Sequence, residues 1–149
     1  MSKDVYPIKR DRNGLVFLFW SNNQEGTNPI LKVVSYAKMI KYRKTYYNLA
    51  FSDYDWINDD TYDFVATNNR DMRKVLRTVA STLELFFRKH PNEKVHIEGS
   101  DRVRHTYYHK LTRGYFDMIS QKFTVAGCLK GKILPFDDNL EYEFIIVSI

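Results

Sequence analysis

Between Asp71 and His90 apolar residues recur every three or four positions, and this stretch constrains the fold more than any other. The apolar positions are Met72, Val75, Leu76, Val79, Ala80, Leu83, Phe86 and Phe87. This spacing follows the helical period of about 3.6 residues and gives one broad apolar face. Asn69 or Asp71 can cap the start of the helix, and Pro91 ends it. A helix with one apolar face needs a second layer to cover it, so the rest of the chain must supply that layer.

The residues before this helix have the composition of β-strands. Four runs carry the pattern: LVFLFWS (15–21), NPILKVVSYAKM (28–39), TYYNLAFSD (45–53) and YDFVATN (62–68). They are rich in β-branched and aromatic residues and are separated by turn-forming residues such as Asn13-Gly14. We therefore predict four strands joined by hairpins in an antiparallel meander.

The residues after the helix predict a second helix and three more strands. A short strand covers 93–99, and Ser100 or Asp101 caps a helix that extends to about Lys122. Two closing strands follow at 124–133 and 141–149. We predict an α+β fold that begins with an N-terminal antiparallel β-meander. The last strand of the meander is also the first strand of a β-α-β-α-β-β series, and the two amphipathic helices pack on one sheet. The length of 149 residues predicts a single α+β domain over 1–149.

The composition narrows the classes of partner and compartment. Aromatic residues make up 15% of the chain, which is unlike a disordered protein. The net charge of +5 favours an anionic partner such as nucleic acid, a nucleotide or an acidic protein. The lone Cys128 excludes an internal disulfide, and no apolar run approaches the roughly 20 residues that span a bilayer. We predict a cytoplasmic protein without a membrane partner.

Arg104 is the residue that surface patterning does not explain. On a helical wheel Arg102, His105, His109 and Arg113 fall on one side of the second helix, which predicts a solvent face. Arg104 instead projects between Tyr108 and Leu111, within the apolar face. A buried guanidinium without a partner is very costly, so something must meet it.

Two kinds of partner for Arg104 remain open, and its side chain can also snorkel around the end of the helix into solvent. One is a structural salt bridge with Glu98 or with an acid of the 53–63 segment. The other is an anionic ligand, held by the planar fork of Arg104 and by amides at the start of the helix. In that case Ser100, Arg104 and Tyr108 form an anion- or ligand-binding site.

The first helix carries a basic stripe that can follow a phosphate backbone. Arg73 and Arg77 lie one turn apart, with Arg70 and Lys74 nearby, and an ordinary helix exterior is the alternative. The predicted nucleic-acid-binding residues on the two helices are Arg70, Arg73, Lys74, Arg77, Arg102, His109 and Arg113.

The sequence contains no recognisable motif for catalysis, for metal binding or for cofactor binding. The acids between Asp53 and Asp63 lack the glycine and the closing glutamate of a calcium loop. The four histidines lack zinc spacing, and there is no Walker-type glycine loop. We predict no metal and no cofactor and leave the catalytic residues unknown.

Three segments resemble an uncharacterised family of bacterial proteins of about 150 residues. They are YNLAFSD (47–53), TNNRDMRKVLRTVAST (67–82) and EGSDRVRHTYY (98–108). The matching positions are Asn68, Asn69, Asp71, Lys74, Thr78, Ser81, Gly99, Ser100, Arg104 and Tyr108. The chain departs from the family at Thr106, where relatives often have a basic residue, and at Arg102, where a proline is expected. The resemblance implies a shared fold and no particular reaction.

Three functions follow as hypotheses. The first is a binding component, with nucleic acid or an acidic protein as partner, in a toxin–antitoxin or phage-conflict system. The second is a toxin-like enzyme acting on nucleic acid or nucleotides, with an anion pocket at Arg104 and with Tyr108, Ser100 or His96 nearby. The third is a structural interaction protein that homodimerises through the closing strand 141–149, used as a sheet edge.

Overall fold

A computed structural model describes residues 4–22, 29–55, 60–63, 71–99, 101–137 and 139–149. The strands are β1 (Lys9–Arg10), β2 (Val16–Ser21), β3 (Ile30–Lys41), β4 (Lys44–Asp55), β5 (Asp60–Asp63), β6 (Val95–Ile97), β7 (Thr124–Leu129), β8 (Lys132–Pro135) and β9 (Phe144–Ser148). The helices are α1 (Met72–Lys89), α2 (Arg102–Gly114) and α3 (Phe116–Ser120). The predicted α+β class is confirmed, with a large sheet and a few helices.

The chain divides into two compact units. The first comprises Met1–Tyr36 and Ala50–Lys89, and the second comprises Ala37–Leu49 and His90–Ile149. β3 and β4 therefore contribute residues to both units. The single domain over 1–149 stays a prediction.

In the first unit, strands that follow one another in the chain are neighbours in the sheet, and most of the predicted strand 62–68 lies outside the described residues. The order is β1-β2-β3-β4, with β5 paired antiparallel to β4. β1 pairs antiparallel with β2, and β2 with β3. Alternate residues of β2 and β3 are buried, among them Phe17, Phe19, Val34 and Tyr36. The period of two in the sequence is thus the alternation between a buried face and an exposed one.

Helix α1 begins and ends within one residue of the predicted limits, but its buried face contains two threonines. Thr78 accepts a hydrogen bond from the backbone N–H of Tyr6 at 2.9 Å. Thr82 shares a hydrogen bond of 2.8 Å with the hydroxyl of Tyr36. Both threonines are fully buried, whereas Val79 and Ala80 of the predicted stripe are only half-buried. A hydroxyl group that has a hydrogen-bond partner can be buried in the core. A pattern of apolar residues alone would place a neighbouring apolar residue at that position instead.

In the second unit the strand order is β4-β6-β9-β7-β8. β6 pairs parallel with β4 and antiparallel with β9, and β9 pairs antiparallel with β7. Tyr46, Cys128, Phe144 and Ile146 form one hydrophobic cluster in the core of this unit.

The predicted edge role of the closing strand is wrong. Residues 144–147 of β9 are all buried, and β9 is hydrogen-bonded to β6 on one side and to β7 on the other. A continuous apolar run of this kind belongs to a central strand, which has no free backbone groups for a partner. Homodimerisation by another surface stays a prediction.

Three further elements differ from the predicted order. The predicted strand 124–133 is a hairpin of β7 and β8, which turns at Lys130 and Gly131 with φ of 51° and 78°. The predicted helix to Lys122 is interrupted after Gly114, and the short α3 follows it. A short strand, β1, precedes the predicted first strand. Within the part of the chain that the structure describes, no helix is long and apolar enough to cross a membrane.

Candidate functional site

Helix α2 starts at a close approach of two backbone segments. Asp101 caps the helix, and its Oδ1 accepts a hydrogen bond from the backbone N–H of Arg104 at 2.8 Å. The preceding Gly99 lies against the first turn, since a Cβ atom at Gly99 would be 2.1 Å from the backbone nitrogen of His105. Only glycine allows this approach, so the family motif around residues 98–104 has a direct structural reason.

Arg104 pairs with its own helix cap. Its side chain is 32% exposed, and its guanidinium contacts the Asp101 carboxylate. Hydrogen bonds and charge from Arg104, the backbone N–H first, lower the pKa of Asp101. Asp101 is therefore one acid that meets Arg104, and pairing with Glu98 or with an acid of the 53–63 segment stays a prediction. Tyr108 is half-buried on the same helix, and Ser100 lies outside the described residues.

The predicted solvent face of α2 is wrong at His109, which is 1% exposed. The buried or half-buried positions include His105, Tyr108, His109 and Thr112, which share one face at helical spacing. This polar face packs inward because its nitrogens satisfy backbone groups that would otherwise be buried without partners.

The two histidines hold the backbone of Tyr142. His109 Nε2 accepts a hydrogen bond from the Tyr142 N–H at 2.9 Å, and His105 Nε2 lies 2.6 Å from the Tyr142 carbonyl oxygen. The other ring nitrogens complete the set: His109 Nδ1 lies 3.1 Å from the His105 carbonyl, and His105 Nδ1 accepts from the Gly99 N–H at 3.2 Å. These partners require a proton on Nδ1 of His109 and on Nε2 of His105. Burial is the main cause that lowers the pKa of His109.

A cleft of about 570 Å³ opens beside the start of α2, within the second unit. Its lining residues are Lys41, Glu98, Gly99, Asp101, Arg102, His105, Leu129, Glu141, Tyr142 and Glu143. Its described walls therefore carry four carboxylates against two permanent cations. Such a mixed lining favours ionic and hydrogen-bonding contacts over the binding of an apolar ligand.

Glu98 connects two other charged or titratable side chains at this cleft. One of its oxygens lies 2.8 Å from Lys41 Nζ and 3.2 Å from His96 Nε2. The other ring nitrogen of His96, Nδ1, lies 2.9 Å from Asn48 Oδ1. Burial lowers the pKa of His96, although Glu98 opposes that change.

Nucleophiles and metal ligands are not assembled here among the described residues. Among the residues that the structure describes, the lining of the cleft contains no serine, threonine or cysteine, and the Tyr142 hydroxyl donates to the Pro135 carbonyl at 3.0 Å. No group of three or more His, Cys, Asp and Glu side chains in the described ranges is placed to hold a metal ion.

The basic residues of α1 lie on the outer side of that helix. Arg73 is exposed, and the Lys74 ammonium lies 4.3 Å from the centre of the Tyr6 ring. Arg77 lies 3.4 Å from the Asp4 carboxylate, with 36% and 66% of the two side chains exposed. Arg70 lies outside the described residues.

The two predicted arginines of α2 differ in exposure. Arg102 is exposed at the cleft, whereas Arg113 is half-buried and donates to the Leu140 carbonyl at 3.0 Å. Arg102 is therefore better placed than Arg113 to meet a partner.

A buried ion pair in the first unit was missed by sequence reasoning. Lys32 is 2% exposed, and its Nζ lies 2.5 Å from Asp53 Oδ1. Lys32 shares a strand face with the buried Val34 and Tyr36, so the alternation along β3 was the signal that could have revealed it. A charge at such a position must be paired, and Asp53 belongs to the YNLAFSD segment.

A second polar cluster in the first unit surrounds Asp71. Its Oδ2 accepts hydrogen bonds from the Tyr6 hydroxyl and, at 2.6 Å, from the Ser21 hydroxyl. Burial, followed by the hydrogen bond to Asp71, raises the pKa of Tyr6. The Asp71 carboxylate therefore joins the start of α1 to β2.

A family model matches residues 2–149, which is almost the whole chain. The chain belongs to DUF6934, a family of unknown function. No curated protein and no solved structure matches it. Membership of DUF6934 confirms the predicted resemblance, and no reaction or ligand comes with it. Function has to be argued from the side chains themselves.

Proposed function

We propose that this protein binds nucleic acid through the basic surface of α1. The supporting observation is the charge of that helix. Its 18 residues carry one acid, Glu84, and no acid in the first turn. The cations of the helix are Arg73, Lys74, Arg77, Arg88 and Lys89.

The exposure of these cations favours contact with phosphates. Arg73, Arg88 and Lys89 are exposed. The pair of Arg77 with Asp4 is long and lies at the surface, and such pairs contribute little, so a phosphate group can replace the Asp4 carboxylate. His109 is not part of this surface, because it is buried.

The test is the salt dependence of binding to a labelled 20-base-pair duplex. Wild type should bind at low salt, with an affinity that falls steeply as salt rises. Arg73→Ala/Arg77→Ala should weaken binding to any sequence and reduce the slope of log K against log salt by about 1 for each phosphate that the variant no longer neutralises.

The matched control is Lys94→Ala/Lys110→Ala, which removes two exposed cations of the second unit and leaves α1 unchanged. The control should bind nearly as wild type does. Equal effects of the two double variants would contradict a defined surface on α1 and indicate only a general charge effect. No binding by wild type at low salt would reject the proposal.

The biological setting forms part of the same proposal. We place the protein in the cytoplasm as a binding component of a toxin–antitoxin or phage-conflict system. An acidic protein is the alternative partner, because carboxylates fit the same cations as phosphates do. Co-purification from the native host, with and without nuclease, distinguishes them: a partner lost with nuclease is bound through nucleic acid, and a resistant acidic protein is bound directly.

A further inference from the structure

Two hairpin turns lie against each other in the second unit. Tyr42 and Arg43 form the turn between β3 and β4, and Lys130 and Gly131 form the turn between β7 and β8. A Cβ atom at Gly131 would be 3.9 Å from Cδ1 of the Tyr42 ring. We call residues 40–44 and 129–132 together the tip pair.

Glu143 joins the two turns. One of its oxygens accepts a hydrogen bond from the Tyr42 hydroxyl at 2.5 Å, and the other accepts from the Lys130 N–H at 2.5 Å. The hydrogen bond from Tyr42 is the main cause that lowers the pKa of Glu143. The Tyr42 ring is therefore held in place before any partner arrives.

The tip pair is basic and carries exposed apolar surface. Its sequences, IKYRK and LKGK, contain five cations and no acid. Lys41 is paired with Glu98 at 2.8 Å, and the four exposed cations are Arg43, Lys44, Lys130 and Lys132. Tyr42 is 51% exposed and Ile40 is 73% exposed.

The backbone does not explain the residues at the first turn. Tyr42 has φ of 51° and Arg43 has φ of 62°. Two-residue hairpins with positive φ at both positions favour Asn and Gly, because side chains with a Cβ are strained there. Glycine would suit the backbone of this turn better, yet Tyr42 makes internal contacts there: its hydroxyl donates to Glu143, and its ring stacks on Phe144 with centroids 6.4 Å apart.

We propose that the tip pair binds single-stranded nucleic acid. The phosphates contact Arg43, Lys44, Lys130 and Lys132, and one base stacks on the Tyr42 ring. This inference deepens the proposed nucleic-acid binding and rests on it, and it assigns single strands to a surface separate from α1. A single strand is favoured because its base faces are open to an aromatic side chain, whereas a duplex offers only its phosphates and groove edges.

An anionic membrane surface fits the tip pair less well. Its cations would attract acidic headgroups, and Ile40 could insert. If Tyr42 also inserted into the membrane, the Glu143 carboxylate bound to its hydroxyl would have to move with it. Moving a carboxylate towards lipid is costly. A nucleic acid base can stack on the ring without disturbing that hydrogen bond.

The experiment compares a labelled 20-nucleotide oligo(dT) with a 20-base-pair duplex on turn-preserving variants. Tyr42→Gly removes the ring and suits the positive φ, and Tyr42→Phe keeps the ring. Tyr42→Gly should weaken oligo(dT) binding about tenfold and duplex binding less than about twofold. Tyr42→Phe keeps the stacking ring and loses only the hydrogen bond to Glu143, so it should retain most of the oligo(dT) binding that Tyr42→Gly loses and leave duplex binding within about twofold of wild type.

A second variant tests the cations at the same turns. Arg43→Gly/Lys130→Asn places residues that tolerate positive φ at both positions. It should reduce the slope of log K against log salt for oligo(dT) by about 1.4, which corresponds to two phosphates of a single strand. Thermal unfolding checks that each variant is folded, and if Tyr42→Gly is not, this second variant decides the question.

The outcomes separate this inference from the proposed function. If Arg73→Ala/Arg77→Ala weakens both nucleic acids while the tip variants weaken neither, the tip pair is not the single-strand site and the proposed function stands. If the tip variants reduce binding to phosphatidylserine vesicles and leave oligo(dT) unchanged, the tip pair is a membrane surface and the inference is overturned. If wild type binds neither nucleic acid at low salt, both proposals fail together.

Discussion

At the scale of single residues, Gly99 decides how closely α2 can begin beside the residues that precede it. The nearest atoms to a Cβ at this position are backbone atoms: His105 N at 2.1 Å and Cα at 2.5 Å, and Arg104 C at 2.6 Å. A flexible side chain can rotate away from a new methyl group, whereas the first turn of a helix must move as a unit. The same turn carries His105, so a shift there also disturbs the hydrogen bond to Tyr142.

Gly99→Ala should therefore lower the free energy of unfolding by about 3 kcal/mol, at the upper end of what overpacking usually costs. Gly114→Ala is the matched control, because nothing lies within 4 Å of a Cβ there. It should be neutral or stabilising by up to about 1 kcal/mol, since alanine is the better helix former. Urea unfolding of both variants measures the difference, and equal stabilities would show that the close approach at Gly99 is not a constraint.

At the scale of elements, α2 is fastened through its histidines to the segment that leads into β9. His105 and His109 are one turn apart, with ring centres 4.5 Å apart, and both contact the backbone of Tyr142. The Tyr142 side chain is held as well, since its hydroxyl accepts from the Asp137 N–H at 2.8 Å. The attachment of α2 therefore depends on imidazole nitrogens, whose hydrogen bonding changes with protonation.

Stability should fall as the pH is lowered through the ordinary histidine pKa of about 6.5. Burial lowers the folded-state pKa of His109 and of His96, so below pH 6.5 or thereabouts the unfolded chain binds protons that the folded chain does not. The stabilisation that comes from neutral His109 and His96 is fully present above the unfolded-state pKa. It is lost as the pH falls from there towards their lowered folded-state pKa. Urea unfolding at a series of pH values between about 5 and 8 measures it.

His109→Gln and His96→Gln divide this pH dependence between the two rings. Each variant removes one titrating group, so each should flatten part of the profile even if it is less stable at every pH. A wild-type profile that is level between about pH 5 and 8 would contradict neutral, buried histidines in the folded state.

At the scale of the whole molecule, two strands belong to both units. β3 and β4 run through residues of the first unit and residues of the second, and α1 ends where the second unit resumes at His90. Loss of either unit would leave two strands half-formed. We therefore propose that the 149 residues behave as one cooperative domain.

Calorimetry should accordingly show one unfolding transition, with equal calorimetric and van't Hoff enthalpies. Gly99→Ala, which alters the second unit alone, should move the whole transition to lower temperature. Two separate peaks, of which Gly99→Ala moves only one, would show that the units unfold independently.

Several features of the site could not be predicted from local sequence patterns. The wheel of α2 placed His109 on the solvent side because histidine is polar, yet it is buried because the Tyr142 N–H needs an acceptor. The partners expected for Arg104 did not include Asp101, whose carboxylate it contacts, because Asp101 was expected only to cap the helix. Polarity describes one residue, whereas burial depends on which distant backbone group requires a hydrogen bond.

The sequence alone determined the α+β class, the limits of α1 and the membership of its family, because helical period, turn residues and motif spacing are properties of neighbouring residues. The tertiary structure decided that β9 lies between β6 and β7, that Lys32 is paired with Asp53, and that two hairpin turns meet at Tyr42. These features join residues far apart in the chain, and their arrangement follows from burying apolar strands and satisfying polar groups throughout the molecule.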